Sequence, residues 1–296
     1  MSDRYTGERF LPEECRGEIA VEHYQRYQFA RQLAAGKKVL DAACGEGYGS
    51  SILAEVAAQV TGLDIDENAV ARAEQKYGNE KLHYQKGSIE KLPFEDHSLD
   101  VVVSFETIEH VNEELQTRFL EEICRVLKED GMLIMSTPNK AVYTDLVKGK
   151  NPFHVKEFYI EEYQTFLDRF FKKREMFCQY PSLGYFISKE NGPDVVYHEK
   201  GKTQEESRYV IAVCSNTEQS FQIDTEKLVF FENQMYYDLN RYAHEKEQEI
   251  LDMKREAEAF ERQLENSIRE QKRYIARLED ELRHPFKYLK KKILRR

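Results

Sequence analysis

Short apolar runs alternate, over much of the chain, with segments in which apolar residues recur every three or four positions. The strand candidates are residues 38–43, 59–64, 82–86, 99–104, 132–137, 171–179 and 208–215. The helix candidates between the first five runs are residues 50–57, 67–77 and 112–127. Strands that alternate with helices of this length form a parallel, helix-covered sheet. The pattern therefore predicts an α/β fold with a doubly wound, mostly parallel sheet of seven strands.

The pattern changes on either side of this region and divides the chain into four parts. These are an N-terminal cap at 1–36, the α/β domain at 37–225, a coiled-coil helix at 226–284 and a basic amphipathic tail at 285–296. The cap ends in a predicted helix over about residues 19–35. Within the α/β domain, residues 181–206 form a long excursion rich in Gly, Pro, Asn and Lys. An excursion of that length is usually functional or disordered.

The long C-terminal helix has apolar residues spaced alternately three and four positions apart, which is the heptad pattern of a coiled coil. The seam comprises Ile250, Met253, Ala257, Phe260, Leu264, Tyr274 and Leu278. Ser267 and Gln271 occupy the same seam and are not apolar, so the predicted pairing is imperfect. We expect self-association, most simply as a homodimer. A solvated helix that lies against its own domain is the alternative.

Charge and cysteine content narrow the class of protein. The formal net charge is -10 at pH 7, which makes nucleic acid an improbable partner because nucleic-acid-binding proteins gain affinity by neutralising phosphates. The five cysteines are widely spaced, without a Cys-x-x-Cys pair, and the first residues lack the apolar core of a signal peptide. These features predict a cytoplasmic protein with reduced cysteines.

The end of the chain has the opposite charge. Residues 283–296 contain seven Lys or Arg residues and no acidic residue, with apolar residues between them. A basic segment of this kind suits the surface of an anionic bilayer. We therefore expect peripheral contact with the inner face of the membrane, and a solvated tail is the alternative.

A glycine-rich turn follows the first predicted strand. Residues 39–49 run from an apolar strand through three glycines into a helix, a turn that lets a ligand approach backbone N–H groups closely. Asp64 ends the next strand, 19 residues after Gly45, where a carboxylate can accept hydrogen bonds from both hydroxyls of a ribose. Ser50 stands where the dinucleotide-binding fingerprint has its third glycine or an alanine, and this departure argues against a dinucleotide site.

Taken together, these segments resemble the class I S-adenosylmethionine-dependent methyltransferases. The motifs that carry the resemblance are residues 40–49, 62–66, 87–94, 98–103 and 127–133. The first motif departs from the family only at Ala43, where many members have glycine. The resemblance covers roughly residues 35–215. It implies a Rossmann-like methyltransferase fold with S-adenosylmethionine as cofactor.

The resemblance also implies which residues bind the cofactor. They are Asp41, Gly45, Gly47, Asp64, Ile65, Ser88 and Ile89. The two glycines would let the methionine part lie against the turn, Asp64 would bind the ribose, and Ile65 would pack on the adenine. Ser88 occupies the place of an aspartate that faces the adenine amine in many members. Asp41 is expected to order the turn more than to touch the ligand.

Methyl transfer from a sulfonium needs no catalytic nucleophile, so the protein mainly aligns the acceptor and assists the loss of its proton. Acceptor-side residues are expected after the fourth strand, in residues 104–111. If this segment is helical, Glu106, Glu109 and His110 share one face. Two carboxylates and an imidazole on one face can hold a divalent cation.

The Glu-x-x-Glu-His segment is similar to the metal-binding segment of the small-RNA 3′-terminal 2′-O-methyltransferases and of the ubiquinone-pathway O-methyltransferases. In the RNA enzymes a second histidine after the fifth strand completes the site, and His154 occupies that place here. The resemblance implies a magnesium or manganese ion, which would lower the pKa of the methylated hydroxyl. The implied ligands are Glu106, Glu109, His110 and His154. A metal-free site with His110 as general base and a purely structural role are the alternatives.

The order of elements, from the cap to the coiled coil, looks like that of methyltransferases associated with bacterial surface-polysaccharide synthesis. We therefore predict O-methylation of a sugar or glycan hydroxyl. N-methylation of an amino sugar or another small amine is the alternative within enzymes. From another class, the chain could be an assembly or scaffold protein with a vestigial domain, which the intact glycines and Asp64 disfavour.

Overall fold

The computed structural model describes residues 10–11, 18–181, 207–217, 221–223 and 233–284. The chain forms two compact units, residues 1–232 and residues 233–296. Three predicted features lie outside the described residues: the basic tail at 285–296, most of the first part of the cap, and the excursion from residue 182 to residue 206.

The described part of the first unit consists of strands and helices in alternation. The strands are β1 (Lys38–Ala42), β2 (Gln59–Asp64), β3 (Leu82–Lys86), β4 (Leu99–Ser104), β5 (Leu127–Pro138), β6 (Lys173–Gln179) and β7 (Tyr209–Ser215). The helices are α1 (Glu18–Ala34), α2 (Tyr48–Ala54), α3 (Glu67–Tyr77), α4 (Glu113–Val126) and α5 (Ile160–Leu167), with a 3₁₀ turn at Ile108–His110 and a π-helical turn at Ala141–Leu146. β2, β3, β4 and α3 begin and end where the sequence pattern predicts them.

The seven strands form one sheet in the order β3-β2-β1-β4-β5-β7-β6. Strands β1 to β5 are parallel, and β7 runs antiparallel to both β5 and β6. The predicted doubly wound, mostly parallel sheet is therefore confirmed. The chain winds outward from β1 to β3 and then returns to place β4 on the other side of β1. In open sheets of this kind, ligands bind beyond the carboxyl ends of the strands at that reversal.

The central strands contribute to a separate hydrophobic core on each face of the sheet. Val39, Val101 and Val103 pack with residues of α1, α2 and α3. Leu40 and Val102 point the other way and pack with residues of α4 and α5. Burial on both faces explains why these strands are continuous apolar runs without polar alternation. Each fully buried side chain of this size contributes roughly 1.5–3 kcal/mol to stability.

Several elements differ from their predicted bounds by one to three residues, and two differ more. β5 begins at Leu127, before the predicted run, because Leu127 already pairs with Leu99 across an irregularity in the register. The helix α5 was not predicted, since eight residues are too few for a clear helical period. It is fixed by tertiary packing, because Tyr163 and Leu167 are fully buried.

The second unit is described as one helix, α6 (Asn233–Arg283), of 51 residues. At 1.5 Å per residue this helix is about 76 Å long. Large apolar side chains along it are exposed, including Phe260 at 65% and Leu264 at 52%. None of the described helices is both long enough and apolar enough to cross a membrane.

Candidate active site

The turn after β1 is built on left-handed backbone conformations, which glycine adopts without steric cost. Ala43, Gly45 and Gly47 have φ angles of 63°, 55° and 77°. At Gly47 there is also no space for a side chain, because an added Cβ would lie 2.5 Å from Cε1 of Tyr84. The Tyr84 hydroxyl donates to the Gly47 carbonyl at 2.6 Å. Ala43, where the resembling family has glycine, is therefore held in a strained conformation that this turn requires.

Asp64 ends β2 and connects it to the glycine turn. Its Oδ2 accepts a hydrogen bond from the backbone N–H of Gly45 at 2.8 Å, and its Oδ1 accepts one from the N–H of Asp66 at 2.9 Å. These bonds fix the carboxylate, which is 7% exposed, at the carboxyl end of β2. Carboxylate oxygens have further lone pairs that can accept ribose hydroxyls. The geometry fits the ribose-binding role predicted for Asp64.

Asp41 lies behind the turn, inside the domain. Its side chain is fully buried and accepts hydrogen bonds from the Ser50 hydroxyl at 2.6 Å and the Tyr27 hydroxyl at 3.2 Å. Burial raises the pKa of Asp41 to about 7. The structure thus gives Asp41 the turn-ordering role, and a direct contact with the cofactor is excluded while these bonds hold. Ser50, the residue that departs from the dinucleotide fingerprint, is one of its two donors.

The remaining cofactor candidates lie near the ends of β2 and β3. Ile65 is 71% exposed, so a flat ring can pack on it. Ile89 is half-buried and packs against the core. The hydroxyl of Ser88 accepts a hydrogen bond from the N–H of Glu90 at 3.1 Å, which leaves its proton available to a ligand.

The segment after β4 is not a continuous helix. Glu106 has a φ of 48°, and only Ile108–His110 forms a single 3₁₀ turn. The predicted helical face shared by Glu106, Glu109 and His110 is therefore wrong. The irregular backbone turns Glu106 away from the other two side chains.

Glu106 instead belongs to a polar network beneath α1. Its Oε1 accepts a hydrogen bond from the Ser136 hydroxyl at 2.7 Å and lies 3.9 Å from Nη1 of Arg26. Arg26 is 1% exposed, donates to Oε1 of Gln179 at 2.7 Å, and stacks 4.7 Å from the ring centre of Tyr209. From the sequence, Arg26 was assigned only to the predicted cap helix. The apolar-polar pattern gave no sign that this cation is buried.

Glu109, His110 and His154 do come together, beyond the ends of β4 and β5. One ligand atom of each lies within 4.8 Å of the others, and the two imidazole rings have centroids 4.9 Å apart. Glu109 is fully buried, and its Oε1 has no hydrogen-bond partner among the residues that the structure describes. Burial, together with the nearby charge of Glu106, raises the pKa of Glu109 well above its usual range. A buried carboxyl in this situation requires a proton or a cation.

The ring of His154 is held in one orientation. Its Nδ1 lies 2.5 Å from Oε1 of Glu157, and its Nε2 lies 3.0 Å from the side-chain nitrogen of Asn151. Because the Asn151 amide donates to Nε2, the ring proton is on Nδ1 and is donated to Glu157. Thr144 donates in turn to the other oxygen of Glu157 at 2.6 Å. This carboxylate therefore fixes the tautomer of His154, as carboxylates do for metal-ligating histidines.

The described cap residues pack against the glycine turn. Nδ1 of His23 lies 2.9 Å from the Tyr48 hydroxyl, and the Phe10 ring stacks on His23 at 4.7 Å. Burial lowers the pKa of His23 well below its usual value, so the ring is neutral. These contacts pack Phe10 and the start of α1 against the helix that follows the glycine turn. Residues 1–9 and 12–17 of the cap lie outside the described part of the chain.

Comparison with known proteins agrees with this geometry. Residues 40–135 match the sequence family described as a methyltransferase domain. A probable S-adenosylmethionine-dependent methyltransferase of Mycobacterium tuberculosis is 38% identical over 172 residues, which cover 55% of this chain and 58% of that protein. The fold is also similar to that of a small RNA methyltransferase, with a TM-score of 0.52 and 21% identity over 68% of this chain and 26% of the other.

Two further relatives have names that specify a substrate class. A ubiquinone biosynthesis O-methyltransferase of Nitrosospira multiformis is 38% identical over 109 residues, covering 36% of this chain and 45% of that protein. A phthiotriol/phenolphthiotriol dimycocerosates methyltransferase of Mycobacterium ulcerans is 37% identical over 114 residues, covering 38% of each chain.

A Rossmann-like sheet with a glycine turn and a carboxylate at the strand-order reversal is an arrangement in which nucleotide-containing cofactors bind. The matched sequences identify the cofactor class more closely. Residues 40–135 lie in a methyltransferase domain, and the relative that aligns over 172 residues is named as a probable S-adenosylmethionine-dependent methyltransferase. The chain spans 58% of the length of the mycobacterial relative that it matches.

We expect Asp64→Ala to weaken the binding of S-adenosylhomocysteine by about 1.5–3 kcal/mol, the scale of hydrogen bonds to a charged group. The loss has two causes, the missing ribose acceptor and the released Gly45 N–H. Titration calorimetry measures it directly. Glu67→Ala, which removes an exposed carboxylate nearby, is the control and should bind like the wild type. Unchanged affinity in Asp64→Ala would contradict the assigned role.

The buried Asp41 predicts a pH-dependent stability. Its pKa in the folded state, about 7, lies above the unfolded value of 3.8, so its stabilising contribution is complete below about pH 4 and is lost as the pH rises through 7. Relative to Asp41→Asn, the wild type should therefore lose stability between about pH 4 and pH 7. Urea unfolding at several pH values tests this, with the exposed Asp130→Asn as control. A constant difference between wild type and Asp41→Asn would refute it.

Proposed function

We propose that this protein transfers the methyl group of S-adenosylmethionine to a hydroxyl group of a sugar or glycan. The observation that carries the proposal is the meeting of Glu109, His110 and His154 beyond β4 and β5. β4 lies directly beside β1, whose turn belongs to the cofactor side. A methyl donor held by Asp64 would thus lie next to groups that can take a proton from an acceptor.

A hydroxyl acceptor needs this assistance because its pKa lies far above neutral pH. The side chain of His110 is 22% exposed, so an acceptor can reach it, whereas Glu109 is buried beneath. His154 is oriented by Glu157 and does not need to rearrange. In the absence of a metal, His110 is the group that would accept the proton, a contribution of about 10²–10⁴-fold in rate.

A divalent cation fits the same three side chains. The unpartnered Oε1 of Glu109 would supply a negative oxygen, and the two imidazoles would supply neutral nitrogens. His154 would have to give up its bond from Asn151, while Glu157 would stay on Nδ1. Two imidazoles with one carboxylate favour manganese over magnesium. A bound cation supplies Lewis acidity that lowers the pKa of the acceptor hydroxyl.

Two observations favour a hydroxyl group of a glycan as the acceptor. The ubiquinone relative is named as an O-methyltransferase, which favours oxygen over nitrogen. The order of elements, with a cap in front and a long helix behind, favours glycans of surface polysaccharides. An amino sugar or another small amine is the alternative acceptor. A neutral amine has its own lone pair and would need no cation beside it.

Manganese binding tests the candidate metal site without a known substrate. Electron paramagnetic resonance should detect Mn²⁺ bound by the wild type, with Glu109→Gln weakening it more than about tenfold. Glu129→Gln is the control, because it removes an exposed carboxylate near the opposite, amino end of β5. It should bind Mn²⁺ like the wild type.

A methyl-transfer assay is the second test of the candidate metal site. We expect chelation to abolish S-adenosylhomocysteine release with methyl glycosides and nucleotide sugars as acceptors, and to leave cofactor binding unchanged. If transfer survives chelation and Mn²⁺ does not bind, the cation is excluded, and His110→Ala should then cost about 10²–10⁴-fold. Transfer only to amines would support the N-methyltransferase alternative.

We also propose that α6 pairs with a second copy of this chain. Its exposed apolar residues follow the heptad spacing up to Leu264. After Leu264, every second seam position, at Ile268, Ile275 and Leu282, lies one residue later than the heptad predicts. The resulting seam is Ile250, Met253, Ala257, Phe260, Leu264, Ile268, Gln271, Ile275, Leu278 and Leu282. Two successive steps of four residues, from Phe260 to Leu264 and on to Ile268, form a stutter that locally unwinds a coiled coil.

The seam with the stutter is more apolar than the seam of the strict heptad. It replaces Ser267 by Ile268 and Tyr274 by Ile275, and both isoleucines are about half exposed in the single chain. Gln271 then is the one polar residue on the seam, and a polar seam position can fix register at a cost in stability. Burial of an apolar seam of this length would stabilise the proposed dimer.

Single substitutions at adjacent positions test the pairing and its register together. Ile268→Lys would place a charge inside the stuttered seam, so we expect light scattering to show a shift from dimer toward monomer. Ser267→Lys should leave the dimer intact, since that position then faces outward. The opposite result would restore the strict heptad, and a monomeric wild type would exclude the pairing.

A further inference from the structure

The segment that joins β5 to α5, residues 139–158, forms a loop closed at its base. Asn139 and Phe158 form an isolated bridge, and the N–H of Lys140 donates to the carbonyl of Phe158 at 3.0 Å. The side chain of Asn139 is itself buried and donates to the carbonyl of Ser207 at 2.9 Å. The two ends of this β5–α5 loop are therefore fixed to the sheet.

The inner side of the β5–α5 loop is attached to the candidate active site. The N–H groups of Val155 and Lys156 both donate to the carbonyl of Glu109, at 2.8 and 3.0 Å. Nδ1 of His110 lies 3.2 Å from the carbonyl oxygen of Phe153. Whatever the outer side of the loop contacts is thus held at a fixed place relative to the acceptor-side residues.

The outer side of this loop is unusually apolar. Leu146, Val147, Phe153 and Val155 are 72, 70, 38 and 63% exposed. Among the described residues of the first unit, only Ile19 and Ile65 are other large apolar side chains with comparable exposure. Ile65 already has a candidate ligand in the adenine ring. The exposed apolar surface of the domain is therefore concentrated beside its acceptor site, where an interaction surface is expected.

The charge of the loop is opposite to that of the protein. The loop, residues 139–158, contains four lysines, one aspartate and one glutamate, a net charge of +2 (4 - 2) in a chain whose net charge is -10. Lys148 and Lys150 are exposed and form no ion pair with the residues that the structure describes. Apolar side chains interspersed with free lysines match the interface of an anionic bilayer, where apolar groups enter the boundary region and lysines meet the headgroups.

We propose that the β5–α5 loop docks on an anionic bilayer and presents the active site to an acceptor carried by a membrane lipid. The inference rests on the proposed function for the acceptor, but the docking does not. A bilayer suits the observations better than a protein partner because the apolar residues lie at turns and beside free cations. A lipid-linked acceptor would reach His110 from the side on which the loop contacts the membrane.

Vesicle sedimentation of the full chain tests the docking. The wild type should bind vesicles of phosphatidylcholine mixed with phosphatidylglycerol, and bind phosphatidylcholine alone far more weakly. Lys148→Glu/Lys150→Glu should reduce binding about tenfold or more, whereas Lys81→Glu/Lys172→Glu, with the same change of charge elsewhere on the domain, should not. Leu146→Ser/Val155→Ser should reduce the binding that remains at high salt, and Ile19→Ser should not.

Two results would overturn the proposal. One is vesicle binding that the loop variants leave at the wild-type level. The other is binding that depends only on the basic tail, shown by its loss in Lys290→Glu/Lys291→Glu/Lys292→Glu while the loop variants bind normally. Calorimetry with S-adenosylhomocysteine on the same proteins separates this proposal from the proposed function. A chain that binds vesicles through the loop but not the cofactor would refute only the latter.

Discussion

Two carboxylates at the ends of adjacent strands hold the turn on which the cofactor site depends. Asp41 of β1 supports the turn from within, and Asp64 of β2 binds the Gly45 N–H from the side. Each is removed from water, and the charge of Asp64 adds to the burial that raises the pKa of Asp41. Hydroxyl and backbone donors offset part of this cost. The strained backbone of Ala43 is a second energetic cost, which the same hydrogen bonds must offset.

The strand order determines which residues lie opposite the glycine turn. Because β4 returns to the other side of β1, the residues that follow β4 and β5 face the residues that follow β1 and β2. Two strongly apolar cores fix the strands, so the polar groups are confined to their carboxyl ends. The two strands whose ends lie nearest to each other across this reversal, β1 and β4, are separated by a single strand spacing, about 4.8 Å. That proximity follows from topology and needs no special feature of the loops.

The sequence predicted features that depend on local pattern and missed those that depend on tertiary contacts. β4 was predicted residue by residue because a strand buried on both faces is a nearly continuous apolar run. The edge strand β3 was predicted equally well, because its buried Leu82 and Tyr84 alternate with polar residues. The glycine turn and Asp64 followed from spacing. Glu106 could not be placed, since its left-handed backbone breaks a helical pattern that the residue types alone suggest. The burial of Arg26 also depends on strands far away in sequence, which a local pattern does not register.

The protonation state of Glu109 links the two mechanisms that the site allows. Transfer of a methyl group from a sulfonium to a hydroxyl releases one proton, so the acceptor side must contain a group that can take it. Without a cation, burial and the charge of Glu106 raise the pKa of Glu109 and favour its protonated form, in which it cannot accept a proton. His110, nearer to solvent, would then act alone. With a cation, Glu109 would be ionised as a ligand and both imidazoles would be occupied. The cation would supply Lewis acidity that lowers the pKa of the acceptor, and the released proton would pass to water. The same buried side chain is thus neutral in one mechanism and charged in the other.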